Sequence, residues 1–182
     1  MKRYILLTLM TLVFHTGTGA LFAQSAQPRE KSEVEIFMQQ VTKATSKSQE
    51  IDYAYVSTSM FKKLLSQLLS KVDDEAKAEM KIDNIIGSAM YMRRYFSTGG
   101  IEGYELLSAA MHPFWGFLEE KDVVMGMELC ALNRRDGVVS IIYGNAESVL
   151  VINDNSKDLS YSIVFVAGMS YDSFMKMNVL GF

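Results

Sequence analysis

From Met60 to Val72 the apolar positions are Met60, Phe61, Leu64, Leu65, Leu68, Leu69 and Val72, with Lys62, Lys63, Ser66, Gln67, Ser70 and Lys71 between them. A repeat of three to four residues gathers the first set into one stripe and the second on the opposite face, which predicts an amphipathic helix. Ser57, Thr58 and Ser59 stand before it, each a residue type that caps free N–H groups. Upstream, Ile51-Asp52-Tyr53-Ala54-Tyr55-Val56 is dense in aromatic and β-branched side chains and predicts a strand. A strand that feeds such a helix needs a sheet against which the stripe is buried.

The same reading extends along the chain. Val34, Phe37, Met38, Val41 and Ala44 predict a first helix, with Ser32 as its cap and Glu33 and Glu35 favourable in its first turn. It ends in the polar run Thr45 to Glu50. Ile82 to Phe96 fits two periods. Ile82, Ile85, Ile86, Ala89, Met90 and Arg93 follow a helical repeat, whereas Ile86, Met90 and Met92 share one face of a strand and Gly87 disfavours a helix. Thr98-Gly99-Gly100 ends that element. Ile101 to Met111 predicts a helix with Ile101, Tyr104, Leu107 and Met111 inward, and Pro113 stops or kinks it.

The last third predicts strands. Val123–Leu132 and Val138–Tyr143 flank the hairpin signal Asp136-Gly137. Gly144-Asn145 leads into Ser148–Ile152, and Asn153 to Asp158 forms a further turn. Tyr161–Ala167 has a continuous apolar centre, which suits a strand inside the sheet. Gly168 breaks it, and Ser170 caps a closing helix through Val179. The fold class expected is α+β, an antiparallel sheet with a C-terminal β-meander and helices packed mainly on one face.

The N-terminus changes the picture of where the chain works. Met1-Lys2-Arg3 is a short basic region, and the apolar run Tyr4 to Phe14 is shorter than a stable membrane span needs. Small residues follow. The pattern predicts a secretory signal peptide, residues 1–23, cut after Ala23 to leave Gln24 first; a cut after Ala20 and an uncleaved anchor are the alternatives. No Cys stands near the cleavage zone for lipid attachment. Residues 24–31 read as a flexible leader and residues 32–182 as a single α+β domain. After cleavage no stable membrane span is expected.

Charge and composition narrow the partners. Loss of Lys2 and Arg3 moves the formal net charge from −3 to −5. A mildly acidic chain lacks the concentrated basic face that nucleic acid requires. Hydrophobic content of 49% and abundant aromatics argue against disorder. The lone Cys130 forbids an intrachain disulfide and, in its apolar run, reads as a buried inert thiol.

The chain offers little catalytic chemistry. His112 is the one histidine after the signal, and no serine stands in a nucleophile elbow. A Cys130–His112 dyad needs an accessible, electropositive thiol. Asp73-Asp74-Glu75 and Glu119-Glu120 read as solvated turn residues rather than a glycosidase pair. Asp154, Ser156 and Asp158 alternate as in a calcium loop, but Leu159 and Phe165 occupy the positions of its glycine and bidentate acid. No cofactor and no metal site is expected.

Two features remain as candidate contacts. Eleven methionines stay after cleavage, with pairs at Met90/Met92, Met125/Met127 and Met175/Met177. On strands such pairs share a side, where thioethers hold soft metals such as Cu(I) or line an apolar space; the alternative is core filling. The other is the aromatic turn Phe114, Trp115 and Phe117, beside Pro113 and Gly116. Exposed, it is a ligand or partner contact; buried, it plugs one end of the sheet.

Tyr55-Val56-Ser57-Thr58-Ser59-Met60-Phe61, together with the meander and the apolar strand Ile163 to Ala167 before Gly168 and a terminal helix, resembles a family of exported Bacteroidetes proteins catalogued as domain of unknown function 4252. The resemblance spans Ser32 to Val179 and rests on packing patterns. It implies a strand over Ile82–Met92 and carries no catalytic residue. Met169-Ser170 follows Gly168 where an acidic residue is expected nearby, and Asp172 comes closest. The function expected is an exported, non-enzymatic binding or interaction domain of the bacterial envelope, engaging an envelope protein or a small apolar ligand. The alternative is a periplasmic carrier of a soft metal ion or small apolar ligand in methionine-lined space.

Overall fold

The computed structural model describes residues 30–70, 74, 90–97, 99–119 and 121–179. The expected signal peptide, residues 24–29 of the expected leader and residues 82–89 of the ambiguous segment lie outside the described residues. The elements in chain order are α1 (Glu33–Thr45), β1 (Ile51–Val56), α2 (Thr58–Leu69), β2 (Tyr91–Ser97) and α3 (Ile101–Ala110). A 3-10 helix (His112–Glu119) precedes β3 (Val123–Val124), β4 (Met127–Arg135), β5 (Val138–Gly144), β6 (Ser148–Asn155), β7 (Ser160–Ala167) and α4 (Tyr171–Val179).

The strands form one seven-stranded sheet in the order β1-β2-β7-β6-β5-β4-β3, with every neighbouring pair antiparallel. This is the expected α+β architecture with its C-terminal meander. The ambiguous segment contributes a strand over Tyr91–Ser97, which includes Tyr91 and Met92 of the stretch that the resemblance implied. Tyr161–Ala167 takes the interior place that its apolar run suits: β7 joins the antiparallel pair β1–β2 to the meander.

Local chemistry accounts for the turns. Asp136 and Gly137 both hold positive φ (55° and 86°), the signature of the two-residue hairpin turn expected there. Met125 and Gly126 hold φ of 51° and 71°. They therefore break Val123–Leu132, expected as one strand, into β3 and β4. At Asn153–Asp158 the ladder pairing runs on to Asn155, and the turn occupies 156–159. Asn145 Oδ1 accepts from Glu147 N and Ser148 N at 2.9 and 2.7 Å and so closes the β5–β6 connection.

Alternation along the strands sorts side chains to two faces. One face carries Tyr95, Ile141, Tyr143, Leu150, Ile152, Tyr161, Ile163 and Phe165. Val34, Met38 and Val41 of α1 pack there with Leu107 and Met111. Ile101, expected inward, is 60% exposed because it occupies the first, outward position of α3. Val56, Met92, Val149, Val164 and Val166 face the other way and meet Met169 and Phe174, so α4 closes that smaller cluster. Among the described residues no helix is long and apolar enough to cross a membrane.

Candidate functional site

The aromatic turn is largely absorbed by the core. Phe114 is 0% exposed and sits edge-on between Phe37 and Tyr143, with ring centroids 5.5 and 5.2 Å away. The Tyr143 hydroxyl donates to Phe114 O at 2.9 Å. Trp115 is half-buried, and its indole N–H faces the Tyr161 hydroxyl at 3.4 Å. Phe117 falls in the 3-10 helix, and its side chain lies outside the described set. Phe114 thus presents no surface to a partner.

The first methionine pair is divided between the two faces of the sheet. Met90 precedes β2 and packs on the larger cluster, whereas Met92 is buried in the smaller one. The expectation of a shared side fails here because only Met92 belongs to the strand. Met125, in a turn with positive φ, packs on the larger cluster that holds the fully buried Met127, and the Met177 side chain is outside the described set. Among the described residues no cluster of three or more His, Cys, Asp or Glu could hold a metal.

The remaining sequence candidates are dispersed. Cys130 is the extra residue where the β4–β5 register shifts between Leu129 and Ala131. It is half-buried rather than enclosed, and burial pushes its thiol pKa up, away from nucleophilic thiolate. Exposed His112 starts the 3-10 helix. Asp154 is 9% exposed and accepts from the Tyr104 hydroxyl at 2.9 Å, while Asp158 closes the Asn155 turn. Of the two acidic pairs only the exposed Asp74 has a described side chain.

The polar groups that do come together lie where α1 crosses the β1–β2 edge of the sheet. Tyr91, Arg93 and Tyr95 alternate onto the face covered by α1, and register places Tyr55 opposite Arg93 and Tyr53 opposite Tyr95. Ser32 and Glu35 form a reciprocal capping box at the start of α1: Glu35 N donates to Ser32 Oγ at 3.4 Å, and Ser32 N to Glu35 Oε2 at 3.0 Å. That box leaves Glu35 Oε1 pointing at β2, where the Tyr91 hydroxyl donates to it at 2.8 Å. About two turns further along α1, Thr42 Oγ1 lies 2.6 Å from the Tyr95 hydroxyl and accepts from Arg93 Nη1 at 3.1 Å.

These side chains border a cleft of about 280 Å³ lined by Glu30, Lys31, Glu35, Gln39, Tyr55, Met90, Tyr91 and Arg93. The Arg93 guanidinium lies 5.3 Å from the Tyr91 ring centroid and 5.9 Å from that of Tyr55, within cation–π range of both. Its Nε is buried and has no hydrogen-bond partner. Burial, then the bond to Glu35, pushes the Tyr91 phenol well above its ordinary pKa, so it stays a neutral donor. Burial likewise raises Tyr53 and Tyr95 against the opposing pull of Arg93. The cleft is therefore rich in donors, and Glu35 already accepts through both oxygens.

Of these cleft residues only Met90 stands out in the sequence as a candidate contact, through its pairing with Met92. The signals present were the Tyr53/Tyr55 alternation, the Tyr91/Arg93/Tyr95 alternation and a glutamate three residues after a cap. Arg93 also fits a helical repeat, which hides its place beside two tyrosines. Comparison of the chain with protein-family models, with curated proteins and with solved structures gives no match.

Proposed function

We propose that this chain is an exported, non-enzymatic binding domain of the bacterial envelope, related to the domain of unknown function 4252 proteins that it resembles, and that its ligand enters the cleft between α1 and the β1–β2 edge. The observation that carries this reading is the juxtaposition of Arg93, Tyr55 and Tyr91 around a cavity of about 280 Å³. Ligand sites run upward from roughly 300 Å³, so this cleft suits a small molecule or one side chain of a larger partner. The lining favours binding over chemistry: burial and the bond to Glu35 hold the Tyr91 phenol neutral, and Glu35 is engaged by the helix cap and by Tyr91. Export is supported by the basic, apolar and small-residue succession of residues 1–23.

Native mass spectrometry of the protein purified from its host's envelope tests both parts. The expected result is a chain that begins at Gln24 and carries additional small-molecule mass or a bound polypeptide. A chain recovered from the cytoplasm with Met1 in place, and bare, contradicts the reading.

A further inference from the structure

We infer that the cleft recognises a small organic carboxylate, with Arg93 as the anion-binding group and Tyr55 and Met90 as the wall for the ligand's apolar part. This rests on the cleft being the binding site. Charge alone does not choose the ligand, since Glu30 and Glu35 line the cleft with Lys31 and Arg93. Hydrogen bonding does. Glu35 Oε1 accepts from Tyr91, and Oε2 accepts from the Ser32 amide and hydroxyl at 3.0 and 3.2 Å. The Arg93 Nε–H, by contrast, is a buried donor without an acceptor. Buried polar groups are almost always paired, so such a donor calls for an explanation, and a bound acceptor is one.

The geometry also favours a planar, singly charged acceptor. Arg93 Nη1 is fixed by Thr42 at 3.1 Å, and the guanidinium is held in place beside Tyr91 and Tyr55. A guanidinium so fixed presents adjacent N–H groups as a fork, which matches the two oxygens of a carboxylate. The nearby glutamates disfavour a doubly charged phosphate. Tyr55, 51% exposed, and half-buried Met90 form an apolar flank for the remainder of the ligand.

The test is a calorimetric titration of the full protein with benzoate, benzamide and inorganic phosphate. We expect saturable benzoate binding, at least about tenfold weaker binding of the neutral benzamide, and a comparable loss for benzoate in Arg93→Gln. Tyr55→Ala, at an exposed position, is the second variant should Arg93→Gln not fold; it weakens benzoate several-fold. Phosphate binding tighter than benzoate overturns the carboxylate assignment while leaving the cleft as a binding site. Equal binding of benzoate and benzamide overturns the role of Arg93. No binding of any probe overturns the inference, and the binding-domain reading is then judged by the native mass of the envelope-purified protein.

Discussion

The Tyr91 hydroxyl donates to Glu35 Oε1 at 2.8 Å, joining the first turn of α1 to β2 across 56 residues of chain. Glu35 is only 4% exposed, and its other oxygen completes the capping box with Ser32. One carboxylate thus starts a helix, docks it on the sheet and shapes one wall of the cleft. Tyr91→Phe removes one neutral-to-charged hydrogen bond and should cost about 1–3 kcal/mol in urea unfolding. Glu35→Ala should cost more, because the cap is lost as well, by about another 1 kcal/mol. In a double-mutant cycle the two changes should be less than additive; strict additivity would show that the contact carries no energy.

Gly103→Ala should destabilise the fold although it sits in α3. Alanine is favoured over glycine in a helix by about 1 kcal/mol. Here, however, a Cβ would stand 2.7 Å from Glu50 O and 2.8 Å from Glu50 Cβ. The first of those atoms is backbone and does not swing away. Close approach is needed because the Gly103 N–H donates to Glu50 Oε2 at 2.8 Å, giving α3 the cap that Gly100 has no side chain to supply. Overpacking of this kind costs about 1–3 kcal/mol, which outweighs the propensity gain. An unchanged or raised melting temperature would refute this.

Phe114→Ala should cost about 3–5 kcal/mol, the range for a large aromatic removed from a core. The half-buried Trp115 is a milder position. Thermal unfolding of the two Ala variants, compared with wild type, reads the difference. Equal, small losses would mean that Phe114 is not the plug its 0% exposure indicates.

Asp154→Asn should stabilise the protein at neutral pH. Burial raises the Asp154 pKa above its ordinary value, outweighing the Tyr104 hydrogen bond that lowers it. A raised folded-state pKa contributes stability that is full below the unfolded value and is lost as pH rises through the folded one. The ionised form is therefore the costly form, and asparagine keeps the acceptor for Tyr104 without the charge. The gain should disappear below about pH 4, where wild type is protonated as well. A variant less stable at every pH would contradict this.

Alkaline conditions should unfold the domain steeply. Burial raises the phenols of Tyr91, Tyr95 and Tyr161, and burial with the Asp154 bond lifts Tyr104 to about 12. By the same sign rule their contribution is intact below the ordinary tyrosine pKa and is lost as pH rises beyond about 10. Circular dichroism should fall together with the appearance of phenolate absorbance from these residues. Tyr104→Phe should remove the Tyr104 share of that pH dependence.

Much of the fold was legible because burial imposes periodicity. The helix expected after Ser57, the Asp136-Gly137 turn and the apolar centre of β7 each reflect one local rule, and each element forms where that rule puts it. The misplacements have local causes too. Met125 adopts positive φ, which its residue type does not advertise, and so splits a strand. Ile101 belongs to an apolar pattern but falls at the outward first position of α3. The cleft was illegible for a different reason. Arg93, Tyr55 and Glu35 are far apart in sequence, and only the β1–β2 register and the path of α1 bring them together. The aromatic turn drew attention by composition, whereas the structure spends Phe114 on packing.

The most direct test is an amide NMR map of the purified protein, free and with benzoate added. Shifts should cluster at Lys31, Glu35, Gln39, Tyr55, Tyr91 and Arg93 and be abolished by Arg93→Gln. Shifts centred instead on the 3-10 helix, or on β4, or none at any concentration, would contradict a binding site between α1 and the β1–β2 edge.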